Sequence, residues 1–294
     1  MILPFDYLNN KGHLDNTGQK GVTLLELLVS MTIGIILIAL TFVFFSIQMD
    51  NFSENRQTAE MQQELRWAIQ YVSEHLKLIG NAVPSTSGWQ VIENKDGAGG
   101  APDSLIVLGS CRSLVVNTTQ MMGNEGSQID VTTTDGIDKG DLIVLSDGTF
   151  SELFYVTDIQ ANHLFHSTYL PYNEDNKLLH RYTGGSTVTV VSHYSFFIET
   201  DPRGHPNLMV KTQACSPQVL GGDIDDFQIR FKMKDGSWQN LVSSSEVNDM
   251  RQIEITLRAR SSEPLKHYRD RVYGDAYKRI ELKSLIIPKN LVII

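Results

Sequence analysis

Cysteine is almost missing from this chain: Cys111 and Cys215 are the two in 294 residues, too few for a miniprotein stapled by disulfides. Positive charge is in deficit, with 25 Lys and Arg against 34 Asp and Glu, a formal charge of −9 and a pI of about 5.3. A surface built throughout to grip phosphate backbones needs the opposite balance. There is no Gly-x-Ser-x-Gly, no phosphate-binding P-loop, no Gly-x-Gly-x-x-Gly after a strand and no twelve-residue calcium loop with its closing Glu. Internal repeats and sustained low-complexity segments are also lacking. The apolar fraction, 41%, excludes a disordered chain and is enough for one or two folded domains with a sizeable core.

That apolar content is spread unevenly. From Leu27 through Ile47 the run LLVSMTIGIILIALTFVFFSI holds 21 residues and no ionisable side chain, and a helix of that length spans about 30 Å, the thickness of a bilayer's hydrocarbon. A secretory signal would be shorter and end in small residues, whereas Gln48, Met49, Asp50 and Asn51 follow here. Lys11 and Lys20 precede the run while Asp50 and Glu54 follow it, so the charge bias puts the N-terminus in the cytoplasm and the bulk of the chain outside. Glu26 sits where the apolar run starts. An unpaired carboxylate there is costly and calls for a cation, unless it snorkels to the headgroups as a helix-start acid favoured by the helix dipole.

The stretch Lys20 to Glu26 reads KGVTLLE and abuts the apolar run. It resembles the type III signal of type IV prepilins and pseudopilins. The resemblance implies that a membrane-embedded prepilin peptidase cuts between Gly21 and Val22 and that Val22 is then N-methylated. Glu26 becomes the fifth residue of the mature chain, and its carboxylate pairs with the N-terminal amine of an adjacent subunit. Two features depart from the commonest pattern: Val22 stands where Phe is usual, and the 21-residue leader carries Asp6 and Asp15.

Beyond Asp50 there is no Pro as far as Ala82, and Met61, Leu65, Ala68, Ile69, Val72, Leu76 and Ile79 recur at steps of three and four. This predicts an amphipathic continuation of the helix, stopped by Gly80, Asn81 and Pro84. Trp67 in that pattern reads as a packing residue. After a linker at Pro84 to Pro102, short β-branched and aromatic runs predict strands at 105–108, 114–116, 142–145, 153–156, 188–191, 194–198, 208–210, 227–233, 253–257 and 280–287. Asp147-Gly148, Gly184-Gly185 and Asp235-Gly236 are turn signals that favour antiparallel hairpins. The fold expected is α+β and pilin-like, a long membrane-spanning N-terminal helix packed through its C-terminal half on an antiparallel β-sheet domain. Its parts are a cleaved leader (1–21), a transmembrane helix (22–49), an amphipathic periplasmic half (50–83) and a β-rich periplasmic domain (84–294).

A looser resemblance covers most of that domain. The segments 140–159, YSFFIET near Tyr194, NLMVK near Leu208, 219–238, RQIEITLRARS at 251–261 and YRDRVY at 268–273 are similar in pattern and order to minor pilins of the PilW type, which are related to the J pseudopilin of type II secretion. That implies a non-enzymatic subunit of a type IV pilus, held in the inner membrane and then entering the pilus tip to prime assembly. Prepilin peptidase, other minor and major pilins and a tip adhesin are its implied partners. The alternatives are a J-type pseudopilin or an adhesive or DNA-binding tip subunit.

Other candidate chemistry is sparse. Cys111 and Cys215 form a candidate periplasmic disulfide, with two separate thiols as the alternative. His163 and His166 are spaced HxxH, but on a strand their rings face opposite ways. Asp223, Asp225 and Asp226, like Asn173, Glu174 and Asp175, read as solvated turns before they read as calcium ligands. No metal and no cofactor is therefore expected. Arg251 to Lys289 holds ten Lys and Arg against five Asp and Glu, a local patch that reads either as the polar dressing of edge strands or as a partner surface, nucleic acid included.

Overall fold

The computed structural model describes residues 22–83, 90–110, 114–168, 177–212, 215–266 and 268–290. The chain forms two compact units, one ending at Ser53 and one beginning at Glu54. One helix, α1 (Leu24–Lys77), supplies the first and enters the second. Residues 22–53 are exposed throughout except for the partly covered Gly34. Large apolar side chains between Leu27 and Ile47 show from 47% (Val29) to 76% (Phe42) of their surface. The segment is long and apolar enough to cross a membrane. Each such side chain gains about 1.5–3 kcal/mol when it leaves water, so lipid or other helices are its natural surroundings.

In the second unit, Met61, Leu65, Ala68, Ile69, Val72 and Leu76 are the buried stripe of α1, as their spacing predicts. Trp67 departs from expectation: it lies on the flank of that stripe and is 58% exposed. Past Lys77 the helix stops as Gly80 turns to φ 70°. Its last carbonyls are answered from the far end of the chain, Lys289 N donating to Lys77 O at 3.3 Å and Asn290 Nδ2 to Ile79 O at 3.2 Å.

The remaining elements are strands: β1 (Ile92–Lys95), β2 (Ser104–Gly109), β3 (Val115–Asn117), β4 (Ile129–Asp130), β5 (Leu142–Ser146), β6 (Ser151–Gln160), β7 (His163–Thr168), β8 (Thr187–Thr200), β9 (Pro206–Thr212), β10 (Gln218–Gly221), β11 (Ile224–Met233), β12 (Trp238–Gln239), β13 (Met250–Arg260) and β14 (Arg279–Ile286). Every pairing among the described residues is antiparallel. The runs predicted at 188–191 and 194–198 are one strand, because Ser192 and His193 keep pairing, with Gly109 and Leu108. The expected linker is not structureless: β1 and a short 3-10 turn at Ala98–Gly100 lie within it.

β8 organises the domain. Its second half lies between β2 and β9, giving the order β1-β2-β8-β9-β10, while a separate sheet runs β12-β11-β13-β14. Both pack with α1 on one core that includes Leu65, Val72, Leu105, Phe196, Phe227, Phe231, Ile255 and Leu257. Gly109 at the end of β2 has no room for a side chain, since a Cβ there would stand 2.5 Å from Leu78 O. The first half of β8 lies between β3 and β5. From β5 the sheet continues through β6 and β7 to β4, and β4 returns to β3: Thr118 bridges Val131, Thr119 N donates to Asp130 O at 2.8 Å and Thr132 N to Asn117 O at 2.9 Å. Six strands thus close a small barrel filled by Ile129, Phe154, Leu164, Tyr182 and their neighbours.

Candidate functional site

The first turn of α1 is built by its own sequence. Thr23 precedes the helix and its Oγ1 accepts from Glu26 N at 3.3 Å. Glu26 Oε2 in return accepts from Thr23 N at 3.0 Å and from Thr23 Oγ1 at 3.1 Å. This reciprocal pair is a capping box, which satisfies two of the backbone N–H groups that a helix start leaves without partners. The Thr-x-x-Glu pattern ahead of an apolar run carries that signal in the sequence. Glu26 therefore has a partner within its own chain, a role that its position alone does not reveal. Val22 lies just outside the helix and is 74% exposed. Gly21 and the leader lie outside the described residues.

The other candidate residues separate. Cys215 is exposed, and Cys111, like 173–175, lies outside the described residues. His163 and His166 occupy β7 without converging: His163 Nδ1 contacts Asp130, and His166 Nε2 meets Ser127 O at 3.0 Å. No cluster that could hold a metal is found among the described residues.

Asp225 and Asp226 are not the solvated turn expected of them. Arg258 Nε donates to Asp225 at 2.9 Å and its Nη1 reaches Asp226 at 3.0 Å, while Arg279 Nε donates to Asp225 at 2.8 Å. Asp223, at φ 53°, meets His205 Nδ1 at 2.7 Å. Arg279 also donates two bonds of 2.8 Å to Asp275, whose carboxyl those bonds hold down to about 2. Arg258 and Arg279 of the basic stretch 251–289 are thus engaged within the fold, while Lys278 on Glu54 and Lys283 on Glu281 form more exposed pairs. Edge dressing fits only β14, since β13 is interior to its sheet. Sequence spacing cannot reveal this network, whose members come from β11, β13, β14 and the loop between the last two.

Residues 16–42 match the family described as the prokaryotic N-terminal methylation motif, a match that includes Val22, Thr23 and Glu26. The chain thus carries the type IV prepilin signal, which implies processing by prepilin peptidase and assembly with other pilins. Among solved structures it is similar to a type IV-like pilin from Thermus thermophilus, at 11% identity and a TM-score of 0.39, over 79% of this chain and 98% of that one. No curated protein matches the chain.

Proposed function

We propose that this protein is a minor pilin of the PilW type, cut between Gly21 and Val22, methylated on Val22 and inserted near the tip of a type IV pilus, where it primes assembly. One observation carries the reading: a methylation motif runs into a stretch of α1, Leu27–Ile47, that holds no ionisable side chain and is exposed except at the partly covered Gly34. Until assembly the helix sits in the inner membrane with the β-rich domain in the periplasm. The apolar surface of Val22 to Ile47 then packs against other pilin helices, and the Glu26 carboxylate neutralises the amine of a neighbouring subunit. The protein performs no chemistry of its own and needs no cofactor. Its partners are prepilin peptidase and companion minor and major pilins, with a tip adhesin as a further candidate.

N-terminal mass analysis of the mature protein tests this. Methylated Val22 is the expected terminus, and Gly21→Arg leaves the precursor uncut in the membrane. An intact Met1, or a cut behind Ile47, overturns the reading. A J-type pseudopilin would carry the same N-terminus, so deletion separates the two: loss of piliation and twitching for a pilin, loss of exoprotein secretion for a pseudopilin.

A further inference from the structure

The barrel has a core of its own that the proposed assembly does not use. Ile129, Phe154, Leu164 and Tyr182 fill it, apart from the cluster that α1 shares with the two sheets. Such a satellite can open while the main core stays shut. His166 stands opposite Val156 of β6 and two positions along β7 from Leu164, both in the barrel core, so its ring turns inward with them. It meets the Phe154 ring edge to face, with centroids 5.6 Å apart.

The two ring nitrogens are unequally served. Nε2 lies 3.0 Å from Ser127 O, and a carbonyl only accepts, so Nε2 carries the proton of the neutral ring. Nδ1 is buried and has no hydrogen-bond partner among the described residues. A second proton there makes a cation whose new N–H points at no acceptor, which costs desolvation and an unmade bond together. Burial accordingly holds the ring below the ordinary histidine value of 6.5, against the Ser127 carbonyl and the Glu152 charge, which both favour the cation. Glu152 has other work. Opposite Leu145 on the inner face of β6, it accepts from Leu179 N at 2.6 Å, His180 N at 3.0 Å and Tyr182 Oη at 3.1 Å. His163 turns to the other face of β7 and contacts Asp130, and His180 Nδ1 lies 3.4 Å from Glu152. Each of these two has a carboxylate in contact, which His166 lacks.

We infer that His166 makes the barrel acid-sensitive: a proton taken at Nδ1 opens the barrel at β7 and at residues 178–182 while the core around α1 stays closed. Opening bares Phe154, Leu164 and Tyr182 together with the pairing edges of β4 and β7, a surface that neutral solution keeps covered. By linkage the closed form holds its full advantage above about 6.5 and loses it as pH falls through that value. With one histidine of ordinary pKa released, the open fraction rises by up to about eightfold between about pH 7 and 5.5.

Hydrogen exchange of the full chain in detergent micelles tests this. Protection of the 163–168 and 178–182 amides, taken against the intrinsic rates at each pH, should fall by up to that factor, and should stay below that of Leu105, Phe227 and Ile255 in the main core. In His166→Gln, whose amide nitrogen still donates to Ser127 O, the pH dependence should vanish whatever the stability of the variant. Protection that ignores pH in the unmodified protein, or a fall that persists in His166→Gln, overturns the inference. Barrel amides as well protected as core amides overturn it too, because the whole domain then opens at once. A measurement without substitution reads the ring itself. Its nitrogen shifts should show the Nε2-protonated form at neutral pH and a neutral ring persisting below 6.5, and a ring already half charged at that value counts against the inference.

Discussion

Glu26 has two separable duties, because its carboxylate closes the capping box with Thr23 and is also the charge that the proposed assembly requires. Glu26→Gln separates them. An amide oxygen still accepts from Thr23, so helix initiation should survive, as read by hydrogen exchange at residues 24–27. Cleavage after Gly21 should also survive, while incorporation into pili falls. Normal incorporation would remove the charge pair from the mechanism. A second carboxylate offers a test by pH. Arg279 lowers Asp275 from an ordinary 3.8 to about 2, so the folded state holds the charged form more strongly than the unfolded chain does. The stabilisation is complete above about 3.8 and is lost as pH falls through about 2. The gap in melting temperature between the unmodified protein and Asp275→Asn should be open at pH 6 and nearly shut at pH 2. A gap independent of pH would count against the ion pair.

At the scale of elements, the membrane-distal part of α1 sets a buried side chain beside an exposed one. Leu65 is 1% exposed and Trp67 58%, although both are large and apolar and stand two positions apart. Leu65→Ala should cost about 3 kcal/mol, the loss of transfer energy plus a cavity, and Trp67→Ala about 0.5 kcal/mol or less. Urea unfolding of the two variants measures this, and equal costs would mean that the helix packs by another face. The contrast also marks how far the sequence could be read. Steps of three and four located the stripe, but Trp67 flanks it at an angle that periodicity alone does not resolve. The Asp-Gly signals at 147–148 and 235–236 named real hairpins, β5 to β6 and β11 to β12. Short β1, β4, β10 and β12 went unseen because two to four residues carry no period, and the six-residue β7 was missed as well.

At the scale of the molecule, the apolar run and the KGVTLLE segment were legible because each lies within a few dozen residues. The barrel closure and the Asp225–Arg258–Arg279 network could not be, since each joins residues far apart in sequence with no motif between them. Cys111 and Cys215 belong to this long-range class. A bridge between them would close a loop of about 105 residues and contribute up to about 4–5 kcal/mol. The oxidised protein should then be two hydrogens lighter than the reduced one and melt at a lower temperature after reduction; two alkylatable thiols in the native protein would show that no bridge forms.

The reciprocal bonding at the start of α1 sets terms for any newcomer. An arriving ammonium meets an acid that is already answered, and must either displace the threonine or share the oxygen with it. Docking is then an exchange of partners rather than the rescue of a stranded charge, so a lone precursor can linger in oil without seizing the first stray cation.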